Sequence, residues 1–407
     1  MRMYFSLAWR NIWRNKRRSF ISIASVLLAV VLAVLTRSFQ LGFYSHSINN
    51  VVSYYTGYVQ IHAPGYWDNQ SLDRSLGDWH SLADVVDTMR YVTITSPRLE
   101  SFALISAGNI TDVAMVSGID PDRENRMTRL ADKVVSGHYL QPGSDGILLG
   151  EGLARHLQLG VGDTVIVLGQ GYHGITAAGR FPITGIVKFP TSEQNNSTSY
   201  LTLEQAQNLS GAYGRITSLA MMIDGERHLN SVMSELHHAF DDKYEIMTWK
   251  QMMPELVEYI ETDNASGLIM IFVIYMVIGF GILGTILMMT LERTHEFGML
   301  MAVGMKRLIL GTVTVIESIM LSFVGVIGGA LLSIPIMLYF HAHPIHLSGS
   351  LAEATAAYGF EPIFPVSLDP MIFIWQAVTI LIIALIADVY PLWRISRLSA
   401  VKAMRHA

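Results

Sequence analysis

Four apolar runs, at 20–43, 266–291, 308–340 and 370–393, constrain this chain more than any other feature. A hydrocarbon core about 30 Å thick needs roughly 20 apolar residues at about 1.5 Å of rise each, and every run meets that length. Only a helix or a closed barrel satisfies its own backbone in lipid, so each run is predicted to be a membrane-spanning helix. The third is longer than a crossing requires and is expected to tilt or to project from the bilayer. Composition agrees, since 51% of the 407 residues are hydrophobic and 15% are charged, against about 25% charged in soluble domains. A basic stretch before an apolar one resembles a secretory leader, but this run is too long for a leader's apolar core and no clear small-x-small cleavage site follows it, so a retained span is expected.

Lysine and arginine set the expected orientation. Residues 1–18 carry Arg2, Arg10, Arg14, Lys16, Arg17 and Arg18 and no acid, the stretch between the second and third runs carries Arg293, Lys306 and Arg307, and the last residues carry Arg394, Arg397, Lys402 and Arg405. The segment 341–369 has no lysine or arginine. The positive-inside rule then puts both termini in the cytoplasm, as an even number of spans demands. The expected fold class is a polytopic α-helical membrane protein with four transmembrane helices and a large extracytoplasmic α+β domain inserted between the first and second. Its parts are a basic amphipathic segment 1–18, spans 19–43, 264–291, 308–340 and 370–393, the outer domain 44–263, a cytoplasmic connection 292–307, an outer loop 341–369 and a cytoplasmic tail 394–407.

The outer segment holds 14 basic and 26 acidic side chains, a net charge of −12. A face for duplex nucleic acid would be basic, so nucleic acid is not expected as a partner. Cysteine is absent, which excludes a disulfide scaffold and thiol chemistry. Strands are predicted at 57–62, 112–119, 162–169, 181–189 and 218–224, where β-branched residues lie between Gly, Pro or Asp. Helices are predicted at 151–159, ended by Gly160, and at 226–240, where Leu229, Val232, Met233, Leu236 and Phe240 share a face. Amphipathic flanks continuous with the first two spans are expected to rise from the bilayer as a stalk.

Several motifs come close to known chemistry and stop short. Gly169, Gly171 and Gly174 have the G-x-G-x-x-G spacing after a strand, but residues 175–187 read as loop and strand, whereas a dinucleotide site needs a helix to open there. His341, His343 and His346 crowd together, yet Pro344 breaks the segment and no carboxylate comes before Glu353. An interfacial loop is the leading reading, weak or pH-dependent metal binding is its alternative, and no metal is assigned. There is no P-loop; Gly298, Gly304 and Lys306 have the wrong spacing and lack the adjoining Ser or Thr. Two acids lie inside predicted spans. Asp388, near the cytoplasmic end, is expected to pair with an arginine of the tail. For Glu317 two roles remain open, polar glue between helices or a part in transmitting motion.

The connection "LERTHEFGMLMAVGMKRL", 291–308, is longer than a turn needs. Phe297, Leu300, Met301 and Gly304 fall at i, i+3, i+4, i+7, predicting a short helix with one apolar face. Glu292 and Glu296 lie near its start and Lys306 and Arg307 near its end, the arrangement the macrodipole favours. A helix resting on lipid headgroups would have the same pattern.

Five stretches, in order, resemble the MacB-type permease subunits of ABC transporters, a family that includes the lipoprotein-releasing Lol permeases and FtsX. They are "LAWRNIWRNKRRSFISI", "LLGEGLARHLQLGVGDTVIVL", "LERTHEFGMLMAVGMKRL", "IESIMLSFVGVIGGALL" and "YPLWRISRLSAVKAMRHA"; Ala400 and Met404 replace a usual Pro and Leu. The resemblance implies a non-catalytic permease with no cofactor of its own, ATP and magnesium being held by two copies of a separate cytoplasmic ATPase. It also implies a second permease subunit, identical or homologous, and mechanotransmission in place of a channel. The connection becomes the coupling helix, with Glu292, Arg293, Glu296, Phe297, Leu300, Met301 and Gly304 as its working positions.

Lipoprotein extraction from a bacterial inner membrane, handed to a periplasmic carrier, is the function expected first. Acyl chains would then meet Leu35, Phe39, Phe43, Met270, Val273 and Ile274 at the outer ends of the first two spans. Export of a drug, peptide or toxin, and an FtsX-like scaffold controlling a cell-wall hydrolase, are the alternatives.

Overall fold

The apolar runs form helices. In the computed structural model, which describes residues 2–14, 16–350, 352, 361 and 363–397, the chain divides into two compact units. One comprises 1–45, 260–346 and 363–407, the other 46–259 and 347–362. Glu353, Lys402 and Arg405 lie outside the described residues, as does the end of the last resembling stretch.

The first unit is built on helices α1 (Arg2–Arg14), α2 (Lys16–Val51), α3 (Pro254–Glu292), α4 (Thr294–Ala302), α5 (Arg307–Ala342), α6 (Pro370–Ala387) and α7 (Val389–Arg397). Among the described residues four stretches are long and apolar enough to cross a membrane: Ser19–Thr56, Pro254–Glu292, Arg307–Ala342 and Pro370–Arg397. Helices α2 and α5 meet backbone to backbone. A Cβ at Gly325 would lie 2.7 Å from Val26 and one at Gly329 would lie 2.7 Å from Val30, so this small-x-x-x-small pair sets how closely the helices approach. Val26, Val30, Val34, Ile282, Ile286, Val326 and Ile380 fill the space between the helices.

The outer ends of α2 and α3 are joined by polar contacts. Arg37 donates to Gln40 Oε1 at 2.7 Å and Asn264 Oδ1 at 2.9 Å, and the Tyr44 hydroxyl donates to Asp263 Oδ2 at 2.5 Å.

The second unit carries one ten-stranded sheet: β1 (Val59–His62), β2 (Val92–Ala107), β3 (Ile110–Ile119), β4 (Val134–Gly137), β5 (Ile147–Gly150), β6 (Thr164–Gln170), β7 (Thr176–Val187), β8 (Thr198–Thr202), β9 (Ser218–Ile223) and β10 (Glu245–Thr248). Its order is β10-β1-β9-β2-β3-β8-β5-β7-β4, with β6 against β2 and β7. The pairs β3–β8 and β5–β7 are parallel and the others antiparallel. All five predicted strands are present, and five more join them.

The predicted helices form at Glu151–Leu157 and Leu229–Phe240. The first stops at Gln158, which takes a left-handed φ of 57°, ahead of Gly160. The Gly169, Gly171, Gly174 segment is the β6–β7 hairpin loop, closed by the Gly171 amide on the Ile175 carbonyl at 2.7 Å.

A charge pair lies inside this domain. Asp120 caps the helix Pro121–Thr128 by accepting from the amides of Asp122 and Arg123, which turns Glu124 inward. Arg98 on β2 meets it through two bonds, Nη2 to Oε1 at 2.7 Å and Nε to Oε2 at 3.0 Å, and Ser96 donates to Oε2 at 2.8 Å. A further Arg98 nitrogen donates to the Tyr55 carbonyl. Every partner of the buried carboxylate is thus within the fold, which is what keeps such a pair tolerable.

Candidate functional site

Helix α4 is held at both ends, and the way it is held differs from its sequence pattern. Glu292 belongs to the last turn of α3, and Arg293 is the residue before α4. At the other end Gly304 takes a φ of +102°, and the amides of Val303, Gly304 and Met305 bond back to the carbonyls of Met299, Met301 and Leu300. The chain reverses there, so Lys306 and Arg307 open α5 rather than close α4. The expected match of these two cations to the α4 macrodipole is therefore not made, because the glycine turn ends the helix before them.

Four side chains of alternating charge run through this corner. Arg14 of α1 donates to Glu296 Oε2 at 2.5 Å. Arg293 Nε lies 3.5 Å from the same Glu296 oxygen. Arg293 Nη1 donates to Glu317 Oε2 at 2.6 Å, and its guanidinium is 5.8 Å from the centre of the Phe297 ring. Arg293 is 5% exposed and Glu317 3%, whereas Arg14 and Glu296 are open to solvent. The sequence left two roles open for Glu317; in the structure it bonds the segment that precedes α4 to the first third of α5.

The apolar face of α4 is covered in part. Phe297 packs with Leu310 of α5 and Ile395 of α7, and Met301 and Met305 border that cluster. Leu300 and Met299 remain exposed, and Val303 is 88% exposed. The seven proposed coupling positions therefore separate by environment. Phe297, Met301 and Arg293 hold the helix in place, and Glu296, Leu300 and Gly304 face outward with Glu292 beside them.

Asp388 departs from expectation. It lies at the junction of α6 and α7, 2% exposed, with Ser318 of α5 as the polar side chain beside its carboxylate. Arg394 instead donates to the Tyr390 hydroxyl at 3.1 Å, a partner one helical turn away on its own helix, and the expected ion pair is absent among the described residues.

The six apolar positions at the outer ends of the spans are placed differently from one another. Leu35 and Phe39 pack into the helix bundle, Phe39 with Phe340 at 5.5 Å between ring centres, and Phe43 lies 6.1 Å from Phe364. Met270 and Val273 are exposed and Ile274 is partly so. Of the histidine group, His341 Nδ1 is 3.1 Å from the Val366 carbonyl, and His343 Nδ1 is 3.3 Å from the Tyr339 carbonyl. Among the described residues no three His, Asp or Glu side chains converge as a metal set would.

Sequence reasoning missed Arg14, Leu310 and Ile395 as parts of the corner. Arg14 is one of six similar cations, and nothing in its spacing singles it out.

A protein with four helices long and apolar enough to cross a membrane, in which a short helix is latched to the next of them along the chain, is the class this fold and corner define. The model for the FtsX-like permease C-terminal region matches residues 268–400, and that for the MacB-like periplasmic core domain matches 19–239. The chain belongs to this family of ABC transporter permeases. It is 24% identical to the lipoprotein-releasing system transmembrane protein LolC of Xylella fastidiosa strain Temecula1, over 97% of this chain and 96% of that one. It is 25% identical to LolC of Neisseria meningitidis serogroup B, over 80% of each. The periplasmic region of MacB from Actinobacillus actinomycetemcomitans is similar over 52% of this chain and 97% of its own, at 19% identity and a TM-score of 0.35.

Proposed function

We propose that this chain is the permease subunit of an ABC transporter that extracts lipoproteins from the inner membrane by mechanotransmission. Its termini are in the cytoplasm and its large domain in the periplasm. A separate ATPase, in two copies with ATP and magnesium, docks at α4; a second permease subunit completes the assembly, and a periplasmic carrier receives the cargo. The observation that carries the mechanical part is the buried Arg293–Glu317 bond at 2.6 Å, which obliges α5 to move with any displacement of α4. Similarity to LolC along nearly the whole chain supports lipoprotein as the cargo. Each buried methylene of an acyl chain holds a lipoprotein in the bilayer by about 0.8 kcal/mol, so extraction needs work from ATP. In cells depleted of this protein, lipoproteins destined for the outer membrane accumulate in the inner membrane fraction; normal partitioning would rule the cargo out.

The match of the outer domain to the MacB-like periplasmic core favours one other reading, export of a drug, peptide or toxin. Antibiotic and toxin sensitivity of the depleted strain, with lipoproteins sorted normally, would replace the first reading by this one.

A further inference from the structure

A cavity of about 40 Å³ opens in the outer domain between the start of the sheet and the segment after β1, walled by the rings of Tyr55, Tyr66, Trp67 and Phe102 with Glu100 among them. This is more than the roughly 10–15 Å³ that a single water requires. The walls are set before any ligand arrives. Tyr66 stacks on His62 at 5.0 Å between centres with the planes 12° apart, and the Trp67 ring is 5.7 Å from the same imidazole. His62 is itself buried, with Nδ1 3.0 Å from the Thr217 carbonyl. Burial holds its pKa below the usual histidine value, so the platform under the two rings is a neutral imidazole and brings no competing positive charge.

Glu100 gives the site its sign. Its amide donates to Thr217 Oγ1 at 2.9 Å, and no described side chain donates to its carboxylate. Arg98 and Glu124 are bonded to each other, so among the described residues Glu100 is the acid of this site with no hydrogen-bonded cation of its own. Burial raises its carboxyl above the ordinary range, with Arg98 opposing the shift and Glu124 adding to it; a positive ligand would bring it back toward ionisation. Aromatic faces attract cations through their quadrupoles, and a carboxyl group among four rings disfavours anions; Thr56, Gln60, Gln70 and Ser101 add neutral polar groups to the wall. The same domain already holds one ammonium against an aromatic face, with Lys133 Nζ 4.0 Å from the centre of the Tyr54 ring.

We propose that the Tyr55, Tyr66, Trp67, Phe102 and Glu100 cavity is a binding site for an organic ammonium group. The small volume suits the head of a primary amine, whether a free alkylamine or the end of a lysine side chain. The site does not depend on the identity of the transported cargo.

The test uses the full-length protein in nanodiscs with 5-fluorotryptophan incorporated, the Trp67 resonance being assigned by its loss in Trp67→Phe. Methylammonium and Nα-acetyl-lysine amide are titrated at constant ionic strength, with acetamide as the neutral control. A saturable shift of the Trp67 signal is expected with at least one ammonium probe and none with acetamide. Methylammonium alone marks a pocket for short free amines; the lysine derivative alone, or both, marks one open to a longer stem. Glu100→Gln should weaken the response by about tenfold or more at unchanged melting temperature. Phe102, 60% exposed, can be cut back without disturbing the core, so Phe102→Ala decides the matter if Glu100→Gln fails to fold, and it should weaken binding several-fold. Equal shifts with acetamide, no saturable shift with either amine, or full affinity in the folded variants would overturn the proposal.

Discussion

Replacing Glu317 by Gln keeps the shape of the side chain and removes the charge opposite Arg293. The guanidinium is 6% exposed at its side chain and bonds Glu317 at 2.6 Å; a second acid, Glu296, lies 3.5 Å from Nε and is shared with Arg14. Removing one partner of a buried pair leaves an uncompensated charge, at a cost of about 3–5 kcal/mol. The low end applies here, about 3 kcal/mol, because Glu296 is close enough to relieve part of it. Thermal unfolding of the purified chain in detergent should show the loss directly. The double variant Arg293→Met, Glu317→Leu replaces the pair by apolar groups of similar size and should recover most of that stability. It removes the latch all the same, so ATP hydrolysis should proceed without transport. A single variant that melts and transports like the parent, or a double variant that transports normally, would refute the reasoning.

Phe297→Asp should destabilise the corner formed with Leu310 and Ile395, whereas Leu300→Glu with Val303→Glu should leave melting unchanged and abolish co-purification of the ATPase; the reverse pattern would exchange the inner and outer faces of α4. Gly304→Val places a β-branched residue at φ +102°, a strain of about 1–3 kcal/mol, and should lower ATPase binding while membrane insertion persists. Glu124→Gln strips the buried Arg98 of its partner and should cost about 3–5 kcal/mol in unfolding of the outer domain. Burial holds Lys133 down at about 8 from an ordinary 10.5, with Glu124 opposing the shift. Its depressed folded pKa means the unfolded chain binds more protons between those two values. Stability should therefore rise as pH goes from about 8 toward 10.5, by up to about 3 kcal/mol, and Lys133→Met should flatten that rise.

The sequence made some elements plain and hid others for physical reasons. The long apolar helices were readable because lipid would demand an unbroken apolar run, and the alternation of β6 and β7 announced half-buried strands. Strand β2 escaped because Pro97 sits inside it, and proline argues against a central strand; here it lies opposite Leu219 of β9. Strands β5 and β8 are short and buried at every position, so they show no alternation to detect.

At the candidate site, the amphipathic pattern marks an apolar face around Phe297, but periodicity is blind to which part of it is covered; α5 and α7 cover Phe297 and border Met301, and Leu300 and Gly304 stay exposed. The Arg14–Glu296 bond joins residues 282 positions apart, a separation at which local spacing carries no signal. Asp388 is expected to pair because tail cations are near in sequence; nearness along a helix does not bring the described ones, Arg394 and Arg397, to its carboxylate.

The most direct test of the account is release of a fluorescent triacylated lipoprotein from proteoliposomes containing this chain, its partner permease and the ATPase, counted per ATP hydrolysed. The account predicts ATP-dependent release with the parent chain, and hydrolysis without release for Arg293→Met, Glu317→Leu. Release by the double variant at the parental ratio would contradict it.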